Sequence, residues 1–140
     1  MTTLEFVQHQ LKDGRFQIDK VFEGLTDEDF DHRIAPQAMS PREILEHLCE
    51  CHQACLDALQ GKSFNWGSYS LPDKSAPALF KTFNDLRAQA ELAIAADPNE
   101  TTFKKASEYL VAHDAYHVGQ MALVRLGLDA AWDPYSIYNH

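Results

Sequence analysis

The chain has 140 residues, 45% hydrophobic and 24% charged, with 12 Lys and Arg against 21 Asp and Glu, a formal charge of −9. That length gives one domain, residues 1–140, around one core, and the composition is too apolar for wholesale disorder. An acidic chain with no basic run disfavours nucleic acid and anionic membranes as partners, and no apolar stretch approaches the roughly 18–20 residues of a membrane span.

The first residues, Met1-Thr2-Thr3-Leu4-Glu5, carry neither the basic segment nor the apolar run of an export signal. Cys49, Cys51 and Cys55 are an odd, crowded set, a poor disulfide framework. Reduced thiols in a cytoplasmic protein are the expectation.

Helical periodicity first appears over residues 3–23. Leu4, Val7, Leu11, Ile18, Val21 and Phe22 recur at spacings of three, four and seven and fall in one stripe. Gly24 fits the position after the helix, and Gly14 inside it weakens it by about 1 kcal/mol relative to Ala. Thr26 to Phe30 reads as one short capped turn. The second helix opens on Ser40-Pro41-Arg42-Glu43, a capping box with proline at the first helical position. It ends near Gln60, before Gly61, with Ile44, Leu45, Leu48, Cys51, Cys55, Leu56 and Leu59 on its apolar side.

Residues 61–74, rich in Gly, Ser, Asn and Pro, form a loop. The third helix covers residues 76–96, with Leu79, Phe83, Leu86, Ala90 and Ile94 inside, and Asp97-Pro98-Asn99 breaks it. The fourth covers residues 102–126 and stops at Gly127. Its inner stripe is Phe103, Ala106, Leu110, His113, His117, Met121 and Val124. The tail, with Trp132, Pro134, Tyr135 and Tyr138, packs over the bundle.

The fold class is therefore all-α, a four-helix bundle. The connection of about five residues between the third and fourth helices makes that pair antiparallel. The second loop, about 14 residues, reaches roughly 45 Å when extended, longer than the roughly 30 Å of a 20-residue helix. It permits a crossover that leaves the second and third helices parallel.

His113-Asp114-Ala115-Tyr116-His117 puts two imidazoles at i and i+4 on one helix face, inside the apolar stripe. Imidazoles so buried need polar partners or a metal ion. Hydrogen bonds to other helices are the plainer explanation of such a pair. His47, at the edge of the second helix's apolar face, supplies a third ring from a facing helix, and bundle cores commonly build metal sites that way. Three neutral imidazoles leave a fourth coordination position open, as catalytic sites do.

Ser40 to Leu48, followed by His113-Asp114-Ala115-Tyr116-His117-Val118-Gly119-Gln120, resembles the motif pair of the DinB/YfiT-like superfamily. The resemblance covers essentially the whole chain. It implies an up-down-down-up bundle and a divalent metal ion (Zn, Ni or Fe) on His47, His113 and His117. It also implies an enzyme that activates a low-molecular-weight thiol, as an S-transferase, or water, as a hydrolase, against a small electrophilic substrate. A homodimer is the implied assembly. The chain departs from the family at Cys51, where a small residue is usual. Cys51 either closes the site with a thiolate or fills space as a buried hydrophobe.

Asp114 is placed to orient an imidazole or to act as a base, or else pairs with a cation. Gln120 is a candidate for bonding across helices and Gly119 for a close approach, whereas Glu43 and Glu50 read as solvated. His52 reads as a packed histidine, and His9, His32 and His140 have no evident partner. Phe64, Trp66, Tyr69, Trp132, Tyr135 and Tyr138 wall a pocket, or else bury bundle surface or form a dimer contact. Two other functions fit the same sequence: a stress protein without turnover that sequesters metal or a small ligand or uses the ion only as a staple, and an interaction module working through its surface.

Overall fold

The computed structural model describes residues 1–139; His140 lies outside them. Helix α1 is Thr3–Phe22, α2 is Pro41–Leu59 and α3 is Ala76–Ala96. Helix α4 covers residues 100–128 in three runs: α-helical Glu100–Ala106, π-helical Ser107–Val111 and α-helical Ala112–Leu128. Short 3-10 turns lie at Asp29–Asp31 and Pro134–Tyr138, and no strand is present among the described residues.

The helix starts follow from side chains that satisfy the free amides of the first turn. Thr2 and Glu5 form one capping box and Ser40 and Glu43 another, with Pro41 at the first position of α2. Ser75 and Asn99 cap α3 and α4. Gly24 and Gly61, at φ of 75° and 72°, reverse the chain after α1 and α2. Thr26 and Asp29 exchange side-chain bonds to each other's amides, fixing the turn before α2. Gly127 does not stop the last helix as its residue type suggests. The helix runs to Leu128, and the Asp129 amide still donates to Arg125 O.

Paired contacts fix the topology. Arg42 reaches Lys74 O at 2.6 Å, Cys49 Sγ sits 3.6 Å from Leu79 O, and Arg87 Nη1 lies 3.2 Å from His52 Nε2. Numbers rise together, so α2 and α3 are parallel. Phe22 meets Phe80 and Leu11 O meets Arg87 Nη2, so α1 and α3 are antiparallel. Gly14 lies against Asp114 and Arg125 donates to Glu23 O, making α1 and α4 parallel. Lys105 reaches Ala58 O while the His47 ring meets that of His117, making α2 and α4 antiparallel. The linkage is up-down-down-up.

The core is the predicted stripes: Leu11, Ile18, Val21, Ile44, Leu45, Leu48, Leu79, Phe83, Ile94, Leu110 and Met121 are all at or below 1% exposed. Truncating Phe83 to alanine there costs about 3–5 kcal/mol. The core also holds a charged pair. Arg87, 1% exposed, donates to Asp114 Oδ2 at 2.8 Å and to Leu11 O at 2.6 Å, and lies beside His52. It ties all four helices together. Gly14 leaves the room this needs: a Cβ there would lie 2.5 Å from Asp114 Oδ2. The tail packs Trp132 and Ile137 onto the core, while Tyr135 and Tyr138 stay exposed.

Candidate metal centre

The antiparallel pairing of α2 and α4 sets His47 opposite the two α4 histidines. Ring centroids are 5.0 Å apart for His47 and His117, 6.2 Å for His47 and His113, and 6.1 Å for His113 and His117. The His113 and His117 rings are stacked in nearly parallel planes, at 18°, one above the other as i and i+4 side chains on the α-helical run that starts at Ala112.

Each ring is held through Nδ1. That of His47 lies 3.0 Å from Glu50 Oε1, that of His113 2.9 Å from the Glu108 carbonyl, and that of His117 2.8 Å from Gln120 Oε1. With Nδ1–H donating in each neutral ring, the lone pair sits on Nε2, as in imidazoles that bind metals. The bond from His113 spans five residues across the π-helical run, where the main-chain pattern is displaced by one residue.

One atom tests the fit. His117 Nε2 is buried and has no hydrogen-bond partner. A buried acceptor left bare is costly and calls for a ligand. Burial also pushes the His117 pKa down to about 4, against the Gln120 bond, so the ring is neutral near pH 7. The set whose ligand atoms all lie within 4.8 Å of one another is His47, Cys51 and His113; His117 is not in that set, although its ring centroid is 5.0 Å from that of His47. Imidazole nitrogens with an adjacent sulfur suit borderline divalent ions such as zinc. The residues present fit a metal ion.

The rings wall an open cavity of about 410 Å³, with Met39, Glu108, Ala112, Tyr116 and Gln120. Beyond His47 a second hollow of about 400 Å³ is lined by Glu43, Glu46, Glu50 and Tyr69. The long loop closes one flank. Trp66 lies 6.4 Å from the His113 ring at 17° and 6.3 Å from Tyr109 at 4°, stacked on both. Glu50 Oε2 and Glu46 Oε2 accept the Gly67 and Leu71 amides, pinning that loop to α2.

A family model described as the DinB superfamily matches residues 10–121, most of the 140-residue chain. The chain belongs to the DinB superfamily. No curated protein and no solved structure gives a match. The matched span of this DinB chain holds His47, His113, His117 and Cys51.

Not every residue expected near the rings is there. Asp114 points away from them and into the core, where Arg87 takes Oδ2 and Oδ1 has no partner. The helix turns it about 100° from His113, so orienting an imidazole falls to others. Glu50, expected to be solvated, is 8% exposed and holds His47. Glu43 caps α2 and pairs with Arg33. Gln120 bonds to His117 of its own helix, and a Cβ added at Gly119 would point into open space. His52 is packed as read, its Nδ1 2.5 Å from Leu48 O, with burial lowering its pKa to about 3. His9 pairs with Asp13.

Cys51 is fully buried with Sγ 3.6 Å from His47 Nε2. Burial, with Glu50 adding, pushes its pKa up to about 12, so without an ion it is a neutral thiol. All three cysteines are free and buried. Of the aromatic set, Trp66 and Tyr69 reach this region, whereas Trp132 stacks under Arg125. No helix is long and apolar enough to cross a membrane among the described residues.

Proposed function

We propose that the protein is a metal-dependent enzyme, with His47, His113 and His117 holding one divalent ion and the fourth position open to the 410 Å³ cavity. The observation that carries the reading is the set of three Nδ1 bonds, which leaves Nε2 of His117 buried and bare. An ion bound there supplies Lewis acidity, lowering the pKa of a small thiol or of water. The chain's own residues do the rest. Glu50, the Glu108 carbonyl and Gln120 fix the ring orientations. Trp66 and Tyr109 shield one flank, and Met39, Ala112 and Tyr116 offer an apolar surface to an electrophilic substrate. The thiol gives up its proton to solvent, its sulfur attacks the electrophilic carbon, a C–S bond forms as the bond to the leaving group breaks, and the leaving group departs with that electron pair; in the hydrolase variant water is the nucleophile and gives up its proton in the same way.

The test is thiol conjugation to an electrophile by metal-loaded protein against its His117→Ala variant. A rate loss supports the reading, and equal rates contradict it. Location in the cytoplasm and a homodimer belong to the same proposal, on the strength of the family resemblance.

One observation favours a second reading. The sulfur of Cys51 lies among the ring nitrogens. If it ligates, the coordination sphere is closed and the ion is a staple in a binding protein without turnover. A cobalt-substituted sample separates the two, because a sulfur-to-cobalt charge-transfer band present without added thiol indicates the closed site.

A further inference from the structure

The acidic side chains that line the cavity and the hollow beside it have no Lys or Arg among the other lining residues. Glu108 lines it from α4, is exposed, and has no ion-pair partner among the described residues. Beyond His47 stand Glu43, Glu46 and Glu50. Glu43 is paired with Arg33 and Glu46 with Lys74, so these two are neutralised locally. Glu50 is taken up by His47 and the Gly67 amide.

No Lys or Arg lines either hollow. The nearest cations along α4 are occupied elsewhere, Lys104 by Glu100 and Lys105 by Ala58 O. Recognition of a carboxylate or phosphate normally uses a guanidinium, an ammonium or a helix N-terminus, and this cavity presents no such cationic side chain.

Resting on the metal reading, we infer that the cavity selects neutral or positively charged small thiols over anionic ones, with Glu108 as the discriminating residue. An ion on neutral imidazoles brings two positive charges. Glu50 and Glu108 balance them, so the loaded cavity has no surplus positive field beyond the coordination position. A thiol whose sulfur sits at the ion lays its other end along Met39, Ala112 and Tyr116, towards Glu108. An ammonium there meets an unpaired carboxylate. A carboxylate there meets like charge on a molecule already at −9.

The experiment titrates cobalt-loaded protein with mercaptoethylamine, mercaptoethanol and mercaptoacetate, reading the thiol-dependent change in the sulfur-to-cobalt band. Comparing each thiol on wild type, Glu108→Gln and Glu108→Lys cancels the thiols' different acidities. Neither substitution alters the Glu108 carbonyl that holds His113. The preference for the amine over the acid should fall roughly three- to tenfold in Glu108→Gln and further in Glu108→Lys. In wild type it should shrink in about 0.5 M salt.

Equal preference in all three proteins, or tightest wild-type binding of mercaptoacetate, overturns the inference. So does cobalt uptake with no response to any thiol, which leaves the metal site standing. Failure to take up cobalt overturns the metal reading and this inference with it.

Discussion

His113 Nδ1 reaches back five residues to the carbonyl of Glu108, at 2.9 Å, across the π-helical run of α4. In the same helix His117 uses Gln120, and across the gap His47 uses Glu50. Three unlike acceptors perform one task, taking Nδ1 of each ring and leaving the Nε2 lone pair free to bind.

Removing one of these acceptors should loosen the ion without unfolding the bundle. Gln120→Leu and Glu50→Leu are each expected to weaken metal affinity by about 10–100-fold. Competition titration against a chromophoric chelator measures this. Unchanged affinity in both variants would show that the bonds do not organise the site.

Gly14→Ala sets two effects against each other. Alanine gains about 1 kcal/mol in helix propensity. Its Cβ would fall 2.5 Å from Asp114 Oδ2, an oxygen held in place by Arg87, and overpacking of that kind costs about 1–3 kcal/mol. The clash should win, with a lower urea midpoint than wild type. Asp114→Ala should cost more, about 3–5 kcal/mol, because it removes the buried partner of Arg87 and leaves only the half-exposed Glu91, 3.5 Å from its Nε.

Acid should weaken the metal-free protein before most carboxylates titrate. Burial, with Arg87 adding, lowers the His52 pKa from 6.5 to about 3. The folded state therefore keeps His52 neutral while the unfolded chain takes a proton below 6.5. Stability is full above that value and is lost as pH falls towards 3. By pH 5 the loss from His52 is about 2 kcal/mol, and His117, lowered to about 4, acts in the same direction. Urea denaturation in chelator at pH 7, 6 and 5 measures the slope. A flat profile would contradict the burial of these rings.

The thiols should be silent in the folded protein. Burial pushes Cys49 and Cys51 up to about 12 and Cys55 up to about 11. A thiol-reactive disulfide reagent at pH 8 is expected to label none of the three in native protein and all of them in denaturant. Rapid native labelling of Cys51 would mean that solvent reaches the sulfur.

Most of the fold was legible because apolar spacing and caps are local. Ser40-Pro41-Arg42-Glu43 marks the start of α2 to the residue, and the length of the second loop leaves room for the parallel crossover that Cys49–Leu79 and His52–Arg87 display. The three histidines were legible by the faces they occupy. The π-helical run was not, since a one-residue displacement of hydrogen bonds has no compositional mark in Ser107–Val111.

Arg87 was missed although a signal existed. It stands in register with Phe83, Ala90 and Ile94 on the inner face of α3, where a charge demands a partner, and Asp114 is that partner. Glu50 was missed because a carboxylate one turn from a histidine is solvated unless something covers it. What covers it is the loop, through the Gly67 amide, a contact 17 residues away in sequence.

The central claim is that His47, His113 and His117 share one ion, and the most direct measurement is a crystal structure of metal-loaded protein with anomalous scattering data. The account predicts one metal peak in the cavity with Nε2 of all three rings at about 2.0–2.1 Å. An ion bound elsewhere, or one coordinated without His117, would contradict it.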